Sequence, residues 1–219
     1  MVIPSPRDIM EFTESTGFLR IDKLWIKYHK QQDAYDLARE WFLNRMETYT
    51  HMIILPDDLI IDAIILDRIL KRSKVDYDNN IERVWSGWCP NTIPKDETKW
   101  YIDSNVSIHA PPENAANSKY EDFHFIKSDT LRKLLREGQY EYQVGYSGFA
   151  LISIPRSVVE KIEFRSDNDC CVDNYFSLDC IKLEIPQFVD LTCESRHLWV
   201  RDLLVGKKQE LVFFKKDEA

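Results

Sequence analysis

Two adjacent aspartates, Asp57 and Asp58, follow the apolar run "HMIIL" and Pro56, and a second apolar stretch begins directly after them. Carboxylates side by side where a buried strand ends have two uses. One is to cap the next helix, because an aspartate oxygen accepts an N–H left open at a helix start. The other is to hold a divalent cation, because Mg²⁺ and Mn²⁺ prefer carboxylate oxygens and share them with substrate phosphates. No G-x-G-x-x-G and no G-x-x-x-x-G-K follows any predicted strand, so a phosphate ligand would need its charge balanced by other means.

Elements that place these residues can be read from periodicity. "MVIPSP" and "DKLWIKYH" read as strands, with the helical turns of "RDIMEFTES" between them. From Asp33 a helix is predicted, with Tyr35, Leu37, Ala38, Trp41 and Phe42 on one face. "HMIIL" is a continuous apolar run of the kind a central strand shows. "LIIDAIILDRILKR" then predicts a helix that packs Ile61, Ile64, Ile65 and Leu70, and "IERVWSG" another strand. Strand and helix in alternation predict a mostly parallel sheet with helices on both faces. Ligands of such sheets gather beyond the strands' carboxyl ends. The loops there carry Ser5, Arg7, Tyr28, His29, Asp57, Asp58, Ser86 and Asn91.

Residues 90–118, with Pro111-Pro112 and little periodicity, read as a long loop of the lid or binding type. "SDTLRKLLREG" predicts a short helix. "YQVGYSGFALISIPRSVVEKIEF" predicts a strand entered through Gly145 and Gly148, where a ligand can approach the backbone, and then a helix after Pro155. Asp173 stands at the start of the helix predicted in "CCVDNYFSLDCIKLEIP", and "FVDLTCESRHLW" is a strand that delivers Arg196 and His197 into a loop.

Composition narrows the class. A chain of 219 residues with 44% hydrophobic content suits one domain with a sizeable core. Acidic residues outnumber basic ones by 37 to 29, a net charge of -8, which argues against gripping a nucleic-acid backbone. No apolar run reaches the roughly 20 residues of a membrane span, and no basic-then-apolar leader opens the sequence, so a cytoplasmic protein is expected. The five cysteines, Cys89, Cys170, Cys171, Cys180 and Cys193, contain no C-x-x-C pair, which signals neither a disulfide framework nor a zinc knuckle.

This order of segments resembles the nucleotide-sugar-dependent glycosyltransferases of the GT-A fold, from about Met1 to Trp199. "DAYDLAREWFLNRMETYTHMIILPDD" is similar to the helix that leads into that family's acidic strand end. "VGYSGFALISIPRSVVEKIEF" is similar to its donor-loop strand and following helix, "VDNYFSLD" to its catalytic-acid segment, and "RHLW" to its C-terminal ligand. The shortness of the chain resembles compact members encoded by some viruses of archaea, which would place the protein in host cytoplasm. One departure stands out: the motif's first aspartate falls on Pro56, so the triplet reads P-D-D.

The resemblance implies a single GT-A-like, Rossmann-like α/β domain, with a nucleotide-binding half over about 1–89 and an acceptor half over about 90–219. It implies a nucleotide-diphosphate sugar donor, a glycan or protein acceptor, and Mn²⁺ or Mg²⁺ held by Asp58 and His197, with Asp57 as a ribose or supporting contact. Asp173 is the expected general base of an inverting transfer, with Asp169 and Asp179 as neighbours able to compete. The alternatives for Asp173 and His197 are a helix cap and a loop histidine bonded to backbone. Pro4, Ser5, Arg7, Tyr28, His29 and Arg39 are the expected nucleotide contacts, Arg39 alternatively belonging to a solvated face. Tyr146, Gly148, Trp88 and Trp100 are the expected donor-sugar or acceptor contacts, and Trp85 belongs to the core. Two other readings use the same residues: a carboxylate-metal phosphohydrolase or nuclease, and a non-catalytic interaction protein on a transferase scaffold.

Overall fold

Helices cover both faces of a mixed sheet, and the alternation of side chains along its strands explains why. The computed structural model describes residues 31–45, 49–55, 59–94, 100–109, 123–167, 171–197, 200–205 and 208–213. The sheet contains β1 (His51–Ile54), β3 (Val84–Trp88), β8 (Glu141–Val144), β10 (Ile152–Pro155) and β11 (Gln187–Glu194), in the order β1-β10-β3-β11-β8. Met52, Ile54, Ile152, Ile154 and Val84 turn to one side. They pack there with α1 (Gln31–Leu43), α4 (Arg156–Lys161) and α5 (Val172–Lys182) through Phe42, Val158 and Phe176. Ile53, Trp85 and Phe188 turn to the other side, against Ile65, Leu66, Ile69 and Leu70 of α2 (Ala63–Asp78). A third cluster joins Trp88, Val189 and Leu191 to Val106 and to Leu131 of α3 (Ser128–Arg136).

Three strands run the same way, as predicted, but the strands beside and between them do not. β1 and β3 each run antiparallel to β10, so they point the same way, and β11 is parallel to β3. β10 sits between β1 and β3 with the opposite direction, and β8 lies antiparallel on β11. The mostly parallel sheet expected from strand and helix alternation is therefore mixed, with one parallel pairing among the described strands. The cause lies in "YQVGYSGFALISIP", which is three strands rather than one: β8, β9 (Tyr146–Ser147) and β10. Gly145 and Gly148 stand at the two breaks.

Further expectations change. The helix after the aspartates begins at Ala63 with Asp62 at its N-cap position, and Leu59–Ile60 is a short strand, β2. The N-cap position expected of Asp58 is thus held by Asp62, whose side chain makes no capping hydrogen bond, and Ile64 is 57% exposed rather than packed. The stretch 90–118 is not a loop throughout: β4 (Pro90–Pro94) and β5 (Trp100–Ser104) form an antiparallel hairpin, and β6 (Val106–His109) pairs with β7 (Phe123–Phe125) and β9. Prolines at both ends of β4 suit a ribbon edge, where no ladder N–H is needed. "RH" is not loop but strand β12 (Arg196–His197), and a hairpin of β13 (Val200–Val205) and β14 (Lys208–Phe213) follows it. The strands and helix predicted within 1–30 lie outside the described residues. Among the described residues no helix is long and apolar enough to cross a membrane.

Close packing leaves its mark at Gly87 and His51. A Cβ on Gly87 would lie 2.8 Å from the Cys193 carbonyl oxygen of β11, so only glycine lets β3 and β11 approach there. Burial holds the His51 imidazole down at about 4, against an ordinary 6.5. The unfolded chain takes up a proton that the folded chain refuses, so stability present above pH 6.5 is lost as pH falls from 6.5 toward about 4. The largest loss from this source is about 3 kcal/mol. Urea midpoints measured from pH 7 down to about 5 should therefore fall less steeply for His51→Gln than for the wild type; parallel slopes would contradict the assignment.

Candidate active site at the carboxyl ends of the central strands

β1, β3 and β11 point the same way, so Leu55, Cys89 and Ser195, the residues that leave them, emerge at one end of the sheet. Buried Asn105, between β5 and β6, ties that end together. Its backbone N–H donates to the Cys89 carbonyl (3.1 Å), and its side-chain oxygen accepts the Cys89 N–H (2.8 Å). Its amide nitrogen donates to the Gly148 carbonyl (3.1 Å), and its carbonyl accepts the Gly148 N–H (2.9 Å). Gly148 is thereby fixed beside the exit of β3. A buried cluster of Leu59, Cys89 and Ala150 lies at the same end.

Asp173 joins this assembly through Tyr146. The Tyr146 hydroxyl donates to Asp173 Oδ2 at 2.8 Å, and a Cβ on Gly148 would stand 3.2 Å from that hydroxyl. Tyr146 is held by Phe123 and Phe125 of β7 and by Leu178 of α5. Asp173 Oδ1 accepts the Cys171 thiol (2.7 Å) and the Asn174 N–H (3.0 Å). The N-cap of α5 is Cys171, and Asp173 lies in the first turn. The N-cap position belongs to Cys171 rather than to Asp173, whose Oδ1 nonetheless takes one of the open N–H groups of the first turn. A half-buried carboxylate with fixed donors on both oxygens and a glycine-bordered backbone nearby is suited to removing a proton from a bound hydroxyl.

His197 arrives at the same end. In the pairing of β12 with β2, His197 stands opposite Leu59, the residue that follows Asp58 in the chain. Asp57 and Asp58 themselves lie outside the described residues, as do Pro4, Ser5, Arg7, Tyr28 and His29 of the expected nucleotide contacts and Asp169 among the alternative bases. Among the described residues no group of three His, Cys, Asp or Glu side chains is placed to hold a metal ion.

Other expected site residues sit elsewhere. Trp88 is fully buried in the third core cluster and its indole N–H donates to the Leu191 carbonyl at 3.1 Å. The strand read as ending at Gly87 continues through Trp88, which takes that ring into the core. Trp100 lies in the hairpin, opposite Pro94, rather than in a loop. The Arg39 guanidinium donates to the carbonyls of Val159 and Ile162 (3.0 Å each) and Glu160 (3.4 Å). It closes the end of α4, where carbonyls lack helical partners, instead of meeting a phosphate. Asp179 is paired with Arg165, whose guanidinium it pushes further above the usual range, and so does not compete with Asp173. Ser86 is in β3, accepting the Ser147 hydroxyl at 2.7 Å. Trp85 is core, as expected, donating to Asp76 at 2.6 Å.

Two residues of the site went unnoticed in the sequence. Asn105 offers no local signal, as a polar residue in a stretch without period. Cys171 is set beside Asp173 only by the helix start, which the "CCVD" string does not fix.

No protein-family model matches the chain, and no curated protein matches it. Among solved structures it is similar to A197 from STIV, an archaeal virus protein, with 14% identity and a TM-score of 0.51 over 95% of this chain and 87% of that one. At that identity the likeness is one of fold.

Proposed function

We propose that the protein is a glycosyltransferase that moves a sugar from a nucleotide-diphosphate donor to an acceptor hydroxyl, with inversion and with Asp173 as general base. The observation that carries this reading is the convergence of Asp173, Tyr146 and Gly148 with the carboxyl ends of β1, β3 and β11. The antiparallel strand wedged between β1 and β3 supports a GT-A-like arrangement over a purely parallel one, and the similarity in fold to a protein of an archaeal virus accords with it. In the reaction, the acceptor oxygen attacks the anomeric carbon and Asp173 takes its proton. The new glycosidic C–O bond forms as the bond to the diphosphate breaks on the opposite face, and the nucleoside diphosphate leaves. Gly148 keeps the backbone open for the sugar, and Tyr146 holds the base.

Asp58 and His197 are the residues that would hold Mn²⁺ or Mg²⁺, with Asp57 beside them. The placement of His197 opposite Leu59 fits such a pair, and carboxylate with imidazole is a donor set these residues can offer. A cation there would neutralise charge on the departing diphosphate.

A thermal-shift panel of UDP-, GDP- and TDP-sugars, with and without Mn²⁺, tests the proposal. One donor should raise the melting temperature by several degrees, since ligand at a hundredfold excess over its Kd adds about 2.7 kcal/mol. Mn²⁺ should enlarge that shift. Absence of any shift, together with absence of donor hydrolysis, would refute it.

A further inference from the structure

We propose that Tyr146 and Cys171 are positioning residues that leave Asp173 one oxygen, Oδ2, from which to accept a proton. This rests on the reading of Asp173 as the base. An ionised carboxylate offers roughly four lone-pair positions. On Oδ1 two are filled, by the Cys171 thiol at 2.7 Å and the Asn174 N–H at 3.0 Å. On Oδ2 one is filled, by the Tyr146 hydroxyl at 2.8 Å. The position that remains is on Oδ2, next to the Tyr146 hydroxyl and hence on the Gly148 side of the carboxylate.

Each positioning group is itself held. The Tyr146 ring lies 5.3 Å from Phe123 and 5.7 Å from Phe125 by centroids, so its hydroxyl has little freedom to swing away. The Asn174 side-chain amide donates to Cys171 Sγ at 3.0 Å, which turns the thiol's own proton toward Asp173. The glycine at 148 belongs to the same device, because a methyl there would stand 3.2 Å from the phenol oxygen and displace it by a few tenths of an ångström. Tyr146 and Cys171 are also the titratable groups bonded to Asp173 among the described residues, one from β9 and one from the start of α5.

The test has one arm that needs no substrate and one that does. In the full chain, iodoacetamide labelling of Cys171 followed by tandem mass spectrometry should be several-fold faster in Asp173→Asn than in the wild type, because the carboxylate charge that opposes thiolate formation is gone. Equal rates would overturn the Cys171 part. With the nucleotide sugar that the thermal-shift panel identifies, Tyr146→Phe and Cys171→Ala should each lower kcat about tenfold with KM changed less than about twofold, and Cys171→Ser should restore most of the loss. Wild-type kcat in Tyr146→Phe, a loss confined to KM, or Cys171→Ser as impaired as Cys171→Ala would overturn it. Melting curves of each variant separate these outcomes from misfolding. A wild-type chain that turns over no nucleotide sugar would overturn the transferase reading instead, while the labelling rates still decide whether Cys171 and Asp173 are coupled.

Discussion

Asp173→Asn is expected to lower sugar transfer by about 10²–10⁴-fold, the range that a positioned general base supplies, while melting within a few degrees of the wild type. The amide keeps the shape of the side chain, and its oxygen can still accept one of the bonds now made by Tyr146 and Cys171. What it cannot do is take a proton from an attacking hydroxyl. Asp173 forms no ion pair among the described residues and is only half-buried, so little of the fold depends on its charge. Initial transfer rates measured beside melting curves check both halves. A variant as active as the wild type would remove Asp173 from the chemistry and favour a binding protein on this scaffold.

Trp88→Ala carries the largest expected cost in stability, about 3–5 kcal/mol. Trp88 is 0% exposed and packs with Val106, Leu131, Val144, Val189 and Leu191. The Arg132 guanidinium stands 5.6 Å from the ring centroid, adding a cation–π contact. Truncation would open a cavity where β3, β11 and α3 meet and leave the Leu191 carbonyl without its indole donor. Urea unfolding should show the loss, and KM for an acceptor should be unchanged in whatever fraction folds. A variant of near-normal stability with a raised KM would return Trp88 to the acceptor site.

How far residues announce their places depends on whether local pattern or distant contact decides. "HMIIL" was readable as a strand from its apolar run, and "IERVWSG" too, although the strand there spans Val84–Trp88. Of the helix face read from a spacing of three and four, Tyr35, Ala38, Trp41 and Phe42 do pack, whereas Leu37 is 40% exposed. What no local pattern encodes is that β10 inserts between β1 and β3, since adjacency is settled by which partners are left over. A similar limit applies to "LIIDAIIL", whose apolar run fits several phases of a helix, so the start at Ala63 and the exposure of Ile64 did not emerge. Asp173 could be noticed as a carboxylate near a helix start. Its link to Tyr146 crosses from one element to another, and only the packed structure supplies it.

The pairing of His197 with Leu59 also bears on how the molecule comes into being. β3 and β11 likewise pair across a long interval of sequence. Contacts so remote are closed late and slowly, because the intervening chain must lose its freedom before they form. On a ribosome, β1, α2 and β3 would emerge long before the strand that completes the sheet. Their apolar faces would wait uncovered, a state prone to association. The end of the sheet beyond β1, β3 and β11 would then be among the last parts to close, and the completeness of the proposed site would mark a chain that has finished folding.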